Sequence, residues 1–316
     1  MPAGFDCDLH AHSSVSDGTD PPRALVAAAA FAGLRAVALT DHDTHRGNAD
    51  ARDEATRLGL GFLPGVELSA DAAALRDAPG DRPDDDARLG TLHLLGYGIR
   101  DGDDDLQRIY DAQRAARATR NPEILDKLRG LGYVLTNEEV LAEADRRSNN
   151  IAVVGRPHIA QALIRKGYVA SVDQAFATLI GEGKPAYARR DTLPPGQAVD
   201  AIHHAGGVAI LAHPVQLHPR DKDHLAAILR RAVDLGIDGV ETRHSDHEPD
   251  VVQRLTELAD DLGLLTTGGS DYHGDRKAIA LGSSGCTLAQ FEALAEAIAA
   301  RGGDPGVPPV AAGRDA

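Results

Sequence analysis

The sequence contains few of the residues that mark several common classes of protein. It has no tryptophan, and aromatic residues make up only 3% of its 316 residues, so no stacking platform for long single-stranded nucleic acid is evident. Its two cysteines, Cys7 and Cys286, cannot form a disulfide framework, which fits a reducing compartment. Neither a signal sequence nor a long apolar run occurs, so we predict a soluble cytoplasmic protein with no membrane partner.

Basic residues are also in deficit. Lys and Arg number 33 against 48 Asp and Glu, which gives a formal net charge of −15 at pH 7. Such a surface repels polyanions, so we predict no long nucleic-acid partner. A small phosphorylated ligand would have to be held locally. Divalent metal ions in a pocket would do this, because a bound ion is often the largest charge in its site.

Short apolar runs alternate with amphipathic segments along most of the chain, as is typical of buried strands followed by helices. The predicted strands are Phe5–Leu9, Arg35–Leu39, Gly61–Leu68, Thr91–Tyr97, Val208–Leu211, Gly239–Glu241 and Leu264–Thr267. The helices between them are predicted near residues 22–32, 48–58, 196–205, 224–235 and 249–262. Seven strands with intervening helices predict an α/β barrel of parallel strands.

Two segments interrupt this alternation. Residues 71–90 are polar and contain Asp84-Asp85-Asp86, which predicts a surface loop, with a substrate lid as the less favoured alternative. Residues 103–190 carry a helical pattern without strand signals, so we predict a helical insertion that either caps the barrel mouth or adds packing. Residues 1–102 and 191–301 would then form the barrel. Residues 302–316, rich in Gly and Pro, are predicted to be a disordered tail.

Imidazole and carboxylate side chains follow most of the predicted strands. Parallel barrel strands end at one rim, so residues that are far apart in sequence meet there. Histidines two residues apart, as in His10-Ala11-His12, point to the same face of a strand and can reach one ion. The candidate metal ligands are His10, His12, Asp17, His42, Glu67, His93, His213, Asp271 and His273.

Ordinary structural roles compete with some of these assignments. A single histidine in an apolar strand, such as His93, is more often a hydrogen-bonded core residue than a ligand. Asp41 and Asp43 either cap loops or orient the imidazoles from behind. Ser13 and its neighbouring serines are better suited to loop capping than to nucleophilic attack, because the pattern offers metal ligands rather than a base with its orienting partner.

Several short motifs together resemble those of one known family, the PHP (polymerase and histidinol phosphatase) family of metal-dependent phosphoesterases. They are Asp8-Leu9-His10-Ala11-His12-Ser13, Leu39-Thr40-Asp41-His42-Asp43, Gly65-Val66-Glu67, Ala212-His213-Pro214 and Gly268-Gly269-Ser270-Asp271-Tyr272-His273-Gly274. Within the insertion, Gly155-Arg156-Pro157-His158-Ile159-Ala160 and Gly183-Lys184-Pro185-Ala186-Tyr187 are similar to the branch that contains 3′,5′-nucleoside bisphosphate phosphatases and 5′-to-3′ exoribonucleases.

This resemblance implies a distorted seven-stranded (β/α) barrel that holds three divalent ions. Manganese is the first choice, with zinc or iron(II) as alternatives, and the mixture of imidazoles and carboxylates agrees with such ions. By position in the motifs, His10, His12, Glu67 and Asp271 would hold the first ion and Asp17, His42 and His273 the second. Glu67, His93 and His213 would hold the third, so that Glu67 would bridge two ions.

The activity implied is phosphate removal from a small nucleotide by a metal-activated hydroxide, converting a nucleoside 3′,5′-bisphosphate to the 5′-monophosphate. Trimming of short oligonucleotides from the 5′ end is a further expectation. One alternative is a phosphatase or phosphodiesterase acting on a sugar phosphate, a cyclic phosphate or histidinol phosphate. Another is a metal-binding regulatory module without turnover.

Residues outside the metal set are candidates for substrate contact. Arg156, His158 and Lys184 lie in the motifs of the insertion and could bind a phosphate group. His244 and His247 follow a predicted strand, so one of them could protonate the leaving group. A loop role for both histidines is the competing interpretation.

Overall fold

Seven strands form one sheet in chain order. The computed structural model describes residues 4–75, 92–145, 154–189 and 192–310. The strands are β1 (Cys7–Asp8), β2 (Ala36–Leu39), β3 (Gly61–Ala70), β4 (Leu92–Tyr97), β5 (Val208–Leu211), β6 (Gly239–Arg243) and β7 (Leu265–Gly268). Beyond β7 the chain returns to β1, where the Leu9 N–H donates to the Gly268 carbonyl at 3.1 Å. The sheet thus closes into a nearly complete barrel, which confirms the predicted α/β barrel.

Strand β4 runs against both of its neighbours. It pairs antiparallel with β3, from Gly65 opposite Tyr97 to Ala70 opposite Leu92, and antiparallel with β5. The prediction of an all-parallel barrel was therefore wrong for this strand, because the apolar pattern of a strand is the same in either direction. An antiparallel strand needs no crossover helix, so β4 forms a hairpin with β3. Its first residues consequently lie at the rim where the other strands end.

Five helices of the barrel lie where the sequence predicts them, namely α1 (Pro22–Phe31), α2 (Asn48–Leu58), α7 (Pro195–His204), α8 (Lys222–Asp234) and α9 (Pro249–Leu262). A further helix, α10 (Leu288–Ala300), was not predicted. Proline occupies the first turn of α1, α7 and α9, where its missing N–H costs no hydrogen bond. In the described part of the chain, no helix has both the length and the apolar character needed to cross a membrane.

The barrel interior is apolar at the end opposite the rim. Leu63, Leu95, Tyr97 and Ile210 pack there with one face of α10, including Phe291. The Tyr97 hydroxyl, fully buried, donates to the Leu9 carbonyl at 2.6 Å, so it leaves no unpaired polar group in this core. Because alternate residues of a strand share one face, Glu67 and His93 point into the same interior as Leu63 and Leu95, nearer the rim.

Between β4 and β5 the chain forms a separate helical unit, which we call the cap. It comprises α3 (Asp104–Gly130), α4 (Asn137–Asp145), α5 (Arg156–Arg165), α6 (Val172–Ala175) and a π-helical turn (Phe176–Ile180). The first half of α3 packs on the barrel through Leu106 and Tyr110, and its second half enters the cap core through Ile124 and Leu128. With 27 residues, α3 spans about 40 Å and so connects both regions.

The segment after α10 is not the disordered tail that its composition suggested. Val307 and Phe62 exchange backbone hydrogen bonds of 2.8 Å, and the Asp304 N–H donates to the Gly98 carbonyl at 2.8 Å. These bonds hold residues 302–310 against the barrel at Phe62 and Gly98. Residues 311–316 lie outside the described residues, as does most of the predicted loop 71–90.

Candidate metal centre

The rim gathers all nine predicted ligands, and Glu67 lies among five of the histidines. Its Oε1 is 2.7 Å from His93 Nδ1 and 2.9 Å from His213 Nε2. Its Oε2 lies close to the other three, at 3.0 Å from His42 Nδ1, 3.2 Å from His12 Nε2 and 3.5 Å from His10 Nε2. Glu67 and these five histidines come from five strands, β1 to β5, or from the segments that follow them. This one carboxylate therefore lies close to predicted ligands that precede it in the chain and to predicted ligands that follow it.

A second group surrounds Asp17. His12, Asp17, His42 and His273 each offer a ligand atom, and these atoms lie within 4.8 Å of one another. Asp17 Oδ1 is 3.3 Å from His273 Nε2, and Asp17 Oδ2 is 3.8 Å from His42 Nε2. Asp271 Oδ1 lies 3.2 Å from His12 Nε2, which connects the two groups. The arrangement has the composition of a metal-binding site.

Unpaired polar atoms test whether metal ions fit this cluster. Within the described residues, no hydrogen bond reaches His10 Nε2, His42 Nδ1, Glu67 Oε2 or either ring nitrogen of His12, although all these atoms are buried. Buried polar atoms without partners are costly, so such a concentration at one place indicates a missing partner. Imidazole nitrogens and carboxylate oxygens are the donors that borderline divalent transition ions prefer. The side chains present therefore fit metal ions.

The carboxylates of the cluster are ionised. Burial opposes the charge on Glu67, but the imidazoles of His93, His42 and His10 outweigh it and hold the pKa of Glu67 well below its ordinary value. Burial likewise opposes the charge on Glu241, and His10 and His244 lower its pKa to about 2. Negative charge thus persists at the rim across the physiological pH range, as cation binding requires.

Glu241 supports the centre from behind, a role that the sequence did not reveal. Its Oε1 lies 3.0 Å from His10 Nδ1, and its Oε2 accepts the His213 N–H at 2.8 Å. A carboxylate on one imidazole nitrogen leaves the other free to bind an ion and makes it more basic. The available signal was a carboxylate within an apolar strand, since Glu241 is fully buried in β6.

Asp41 and Asp43 also act behind the rim. Asp41 accepts the Ser13 N–H at 2.8 Å and the hydroxyls of Ser13 and Ser16, both at 2.6 Å. These serines therefore fix the loop that follows His12, as the loop-capping interpretation expected. Asp43 accepts the Ser69 N–H at 3.0 Å and pairs with Arg117 of helix α3. This pair joins the cap to the loop next to His42.

Backbone strain is concentrated at the same place. Outside glycine, positive φ values occur among the described residues at Asp43 (48°), His213 (25°), His218 (54°) and Asp271 (58°). Three of these four residues belong to the rim or lie behind it. Such conformations cost on the order of 1–3 kcal/mol each and persist where surrounding contacts enforce them.

The direction of β4 explains the position of His93. His93 stands opposite Ser69 in the β3–β4 pairing, one residue into the strand. In a parallel strand that position would lie at the far end of the barrel. The reversal of β4 instead brings His93 to the rim, where its Nδ1 lies 3.2 Å from His213 Nε2. The alternative that His93 is a hydrogen-bonded residue of the apolar core therefore does not fit its surroundings.

A cavity of about 790 Å³ opens between the cluster and the cap. Its floor includes Asp17, His42, Glu67, His93 and His213. Among the described residues, six cationic side chains line it, namely Arg117, Arg120, Arg156, Arg189, Arg276 and Lys277, against two acidic ones away from the cluster, Asp71 and Glu182. Because the whole chain carries a net charge of −15, this cationic wall is a local departure suited to an anionic ligand.

Of the predicted substrate contacts, Arg156 lines this cavity. Its guanidinium lies over the rings of Phe176 and Tyr187, with its central carbon 5.3 and 5.7 Å from their centroids. His158 is buried, and its Nδ1 accepts the Gly155 N–H at 3.1 Å, which caps its own helix. Burial, together with nearby Arg276, lowers the pKa of His158 to about 3, so the ring is neutral.

The other candidate contacts lie away from the cavity wall. Lys184 is exposed and is not among the lining residues of the described chain. His244 and His247 are also absent from the lining, because both are buried behind Asp271 and the β6 end. His247 Nδ1 lies 3.1 Å from the Thr242 carbonyl. The expectation that His244 or His247 faces the leaving group therefore does not match their positions.

A buried histidine–carboxylate cluster beside a cationic cavity at a barrel mouth defines a metal-dependent phosphoesterase, and comparison with known proteins agrees. A family model described as "PHP domain" matches residues 8–152. A phosphoribosyl 1,2-cyclic phosphate 1,2-diphosphodiesterase from Eggerthella lenta is 32% identical over 268 residues, covering 84% of this chain and 94% of that protein. The chain belongs to the PHP family.

Two further comparisons support this assignment. A 5′-3′ exoribonuclease from Haemophilus influenzae is 31% identical over 269 residues, which cover 84% of this chain and 89% of that protein. The crystal structure of a metal-dependent phosphoesterase from Bifidobacterium adolescentis is similar with a TM-score of 0.78 and 28% identity, over 94% of this chain and 98% of that one. The family that these motifs predict from the sequence is thus confirmed.

Proposed function

We propose that this enzyme removes the 3′-phosphate from a nucleoside 3′,5′-bisphosphate and leaves the 5′-monophosphate. The observation that carries the proposal is the cationic wall opposite the metal cluster. A substrate with one phosphate needs only the cluster, whereas a bisphosphate carries a second anion that Arg156 and its neighbours would bind. A 3′,5′-nucleoside bisphosphate phosphatase from Chromobacterium violaceum is 29% identical over 266 residues, 84% of this chain and 86% of that protein.

The cluster would hold three divalent ions, with manganese preferred and zinc or iron(II) as alternatives. His10, His12, Glu67 and Asp271 would hold one ion, Asp17, His42 and His273 a second, and Glu67, His93 and His213 a third. Bound ions of this kind neutralise phosphate oxygens and lower the pKa of water, which supplies the nucleophile near neutral pH. The protein keeps these side chains in place through Glu241, Asp41 and Asp43, so little reorganisation is needed at the moment of reaction.

The cavity wall would bind the remainder of the substrate. Arg156 can form paired hydrogen bonds with a phosphate, because the guanidinium presents its donors in a fixed plane. Arg117, which is paired with Asp43, would add positive charge nearby. Phe176 and Tyr187 offer ring faces beside Arg156, against which a base can stack. Tyr272 does not offer such a face, because it lies outside the cavity lining, and its hydroxyl donates to Asp20 at 2.6 Å.

The size of the cavity favours a second activity, the trimming of short oligonucleotides from the 5′ end. Its volume of about 790 Å³ lies in the upper part of the range of roughly 300–1,000 Å³ found for small-ligand pockets. This leaves room for a nucleotide beyond the one that reacts. The acidic surface elsewhere limits such a substrate to a few nucleotides.

A substrate panel tests the proposal. Phosphate release would be measured for adenosine 3′,5′-bisphosphate, adenosine 3′-monophosphate, a ribose cyclic phosphate, histidinol phosphate and a short 5′-phosphorylated RNA. We expect kcat/KM for the bisphosphate to exceed that for the 3′-monophosphate by about 10- to 100-fold, which corresponds to one or two charge-assisted hydrogen bonds. Equal values would contradict recognition of the second phosphate. Preference for a cyclic or sugar phosphate would favour that alternative, and no turnover of any ester would favour a regulatory module.

A further inference from the structure

His244 and Lys277 both approach one oxygen of Asp271. We propose that together they restrict Asp271 to a single ligating oxygen, with His244 acting as a hydrogen-bond donor to that carboxylate and not as an additional metal ligand. Both would be positioning residues. The inference depends on the proposed role of Asp271 as a metal ligand, and the experiments below separate the two.

The position of His244 leaves two possible roles. His244 offers a ring nitrogen to a group with His10 and Asp271 whose ligand atoms lie within 4.8 Å of one another, as a metal site would require. Its Nε2 is buried, has no hydrogen-bond partner in the described chain, and lies 3.5 Å from Asp271 Oδ2. A ring nitrogen in this position either binds an ion or carries a proton directed at the carboxylate.

The other ring nitrogen decides between these roles. His244 Nδ1 accepts the N–H of Asp246 at 3.0 Å, so its lone pair is already in use. A neutral imidazole has one N–H, which must then be on Nε2. A protonated nitrogen has no lone pair for a metal ion. His244 therefore presents a donor to Asp271. His10 differs, because its Nδ1 lies 3.0 Å from the carboxylate of Glu241 and can carry the single proton of a neutral ring, which would leave Nε2 available to an ion.

The two oxygens of Asp271 have different surroundings. Oδ1 lies 3.2 Å from His12 Nε2 and 3.5 Å from His10 Nε2, the nitrogens proposed to share an ion with it. Oδ2 accepts a hydrogen bond from Lys277 Nζ and lies 3.5 Å from His244 Nε2. The bond from Lys277, together with a proton on His244 Nε2 directed at the same oxygen, would oppose rotation of Oδ2 toward an ion, so that Oδ1 alone would remain for ligation.

The main chain adds to this restriction. Asp271 has a φ of 58°, a conformation that residues other than glycine seldom adopt. Its N–H donates to the His10 carbonyl at 2.9 Å, which holds the strained residue against β1. The carboxylate is thus fixed at its base by the backbone and at Oδ2 by two side chains from separate segments, one after β6 and one after β7.

The tautomer of His244 can be measured directly. Long-range proton–nitrogen correlation spectra of the ¹⁵N-labelled protein, with Zn²⁺ as a diamagnetic ion, report which ring nitrogen carries the proton. The His244 signals are assigned by their loss in His244→Gln. We expect a protonated Nε2 both without and with Zn²⁺. An Nε2 shift that shows metal ligation after Zn²⁺ addition would overturn the inference, and this measurement needs no variant of uncertain folding.

Substitutions then test the consequence for metal binding. His244→Leu removes the donor at similar size, whereas His244→Gln keeps an N–H near the position of Nε2. Substitution of a residue that hydrogen-bonds to a metal ligand typically costs about 10- to 100-fold in metal affinity or activity. We expect His244→Leu to keep the full number of Zn²⁺ ions at saturation, but with 10- to 100-fold weaker affinity and lower kcat. His244→Gln should restore both, and Lys277→Met should act in the same direction as His244→Leu.

Controls distinguish the possible failures. His204→Leu makes the same substitution at an exposed histidine near Asp105 and should change neither affinity nor kcat. Loss of one equivalent of Zn²⁺ in His244→Leu would make His244 a ligand, and wild-type affinity in that variant would exclude a positioning role. Asp271→Asn tests the underlying assumption separately. If Asp271→Asn keeps all its ions, the ligand role of Asp271 fails whatever His244 does.

Discussion

The barrel rim and the cap hold their functional side chains by different means. At the rim, short side chains leave the ends of strands, and carboxylates such as Glu241 and Asp41 fix them from behind. In the cap, long side chains such as Arg117 and Arg156 extend from helices into the cavity. The sheet therefore gives the rigidity that a metal centre requires, while the helices would give the reach that the proposed substrate recognition requires. Variants should separate these two contributions.

The largest effect is expected at the centre of the rim. Glu67→Gln removes the charge that contacts five imidazoles, so bound metal and activity should fall together, by more than the roughly 100-fold typical of changes behind a metal site. Elemental analysis and phosphate release would be measured on the same sample. Glu139→Gln, at a half-buried glutamate of the cap that pairs with Lys166, is the matched control. Full metal content with full turnover in Glu67→Gln would refute its central role.

A smaller effect with a different signature is expected in the cap. Arg156→Met should lower kcat/KM for a nucleoside bisphosphate by about 10- to 100-fold, because a charge-assisted hydrogen bond contributes roughly 1.5–3 kcal/mol. The change should appear mainly in KM, and metal content should stay constant. Arg129→Met, at an exposed arginine of α3, serves as control. Loss of metal in Arg156→Met would show that rim and cap are not separable in this way.

A change in the cap core tests whether cap packing affects the rim. Leu128 is fully buried in the cap cluster, so Leu128→Ala should lower the free energy of unfolding by about 2–5 kcal/mol. Denaturant unfolding would measure this loss, and equilibrium dialysis would measure metal affinity. We expect metal affinity within a few-fold of wild type and a modest rise in KM. A large loss of affinity would show that α3 transmits cap packing to Asp43 through Arg117.

The smallest effect is expected at His158, and it depends on pH. Because its folded pKa is lowered to about 3 from 6.5, the unfolded chain binds a proton that the folded protein does not between these values. This residue therefore lowers stability as the pH falls below about 6.5, with a slope of at most about 1.4 kcal/mol per pH unit. His158→Asn keeps an acceptor for Gly155 and should show a shallower decline in acid unfolding, with the pH dependence of activity unchanged. An identical decline would contradict a neutral His158.

Much of the barrel could be predicted because apolar runs and strand-end ligands are local signals. Residues such as His213 follow a strand directly. Because barrel strands end at one rim, this position predicts that such residues meet there. The direction of β4 could not be predicted, because it depends on pairing across the sheet. Arg117 was missed because one arginine among many in a charged helix has no distinguishing pattern until the helix is docked. The position of residues 302–310 depends on barrel edges that composition does not describe.

The reversal of β4 also affects how the site can assemble. Glu67 and His93 belong to neighbouring antiparallel strands and are much nearer in sequence than Glu67 and His213, so bringing the first pair together costs less loop entropy. His213 and Asp271 arrive only after the chain has passed through the whole cap, and such distant contacts form slowly. The first pair of ligands can therefore meet before the cap and the later strands are in place. An early-binding ion would stabilise a partly folded chain and couple metal supply to the yield of native enzyme.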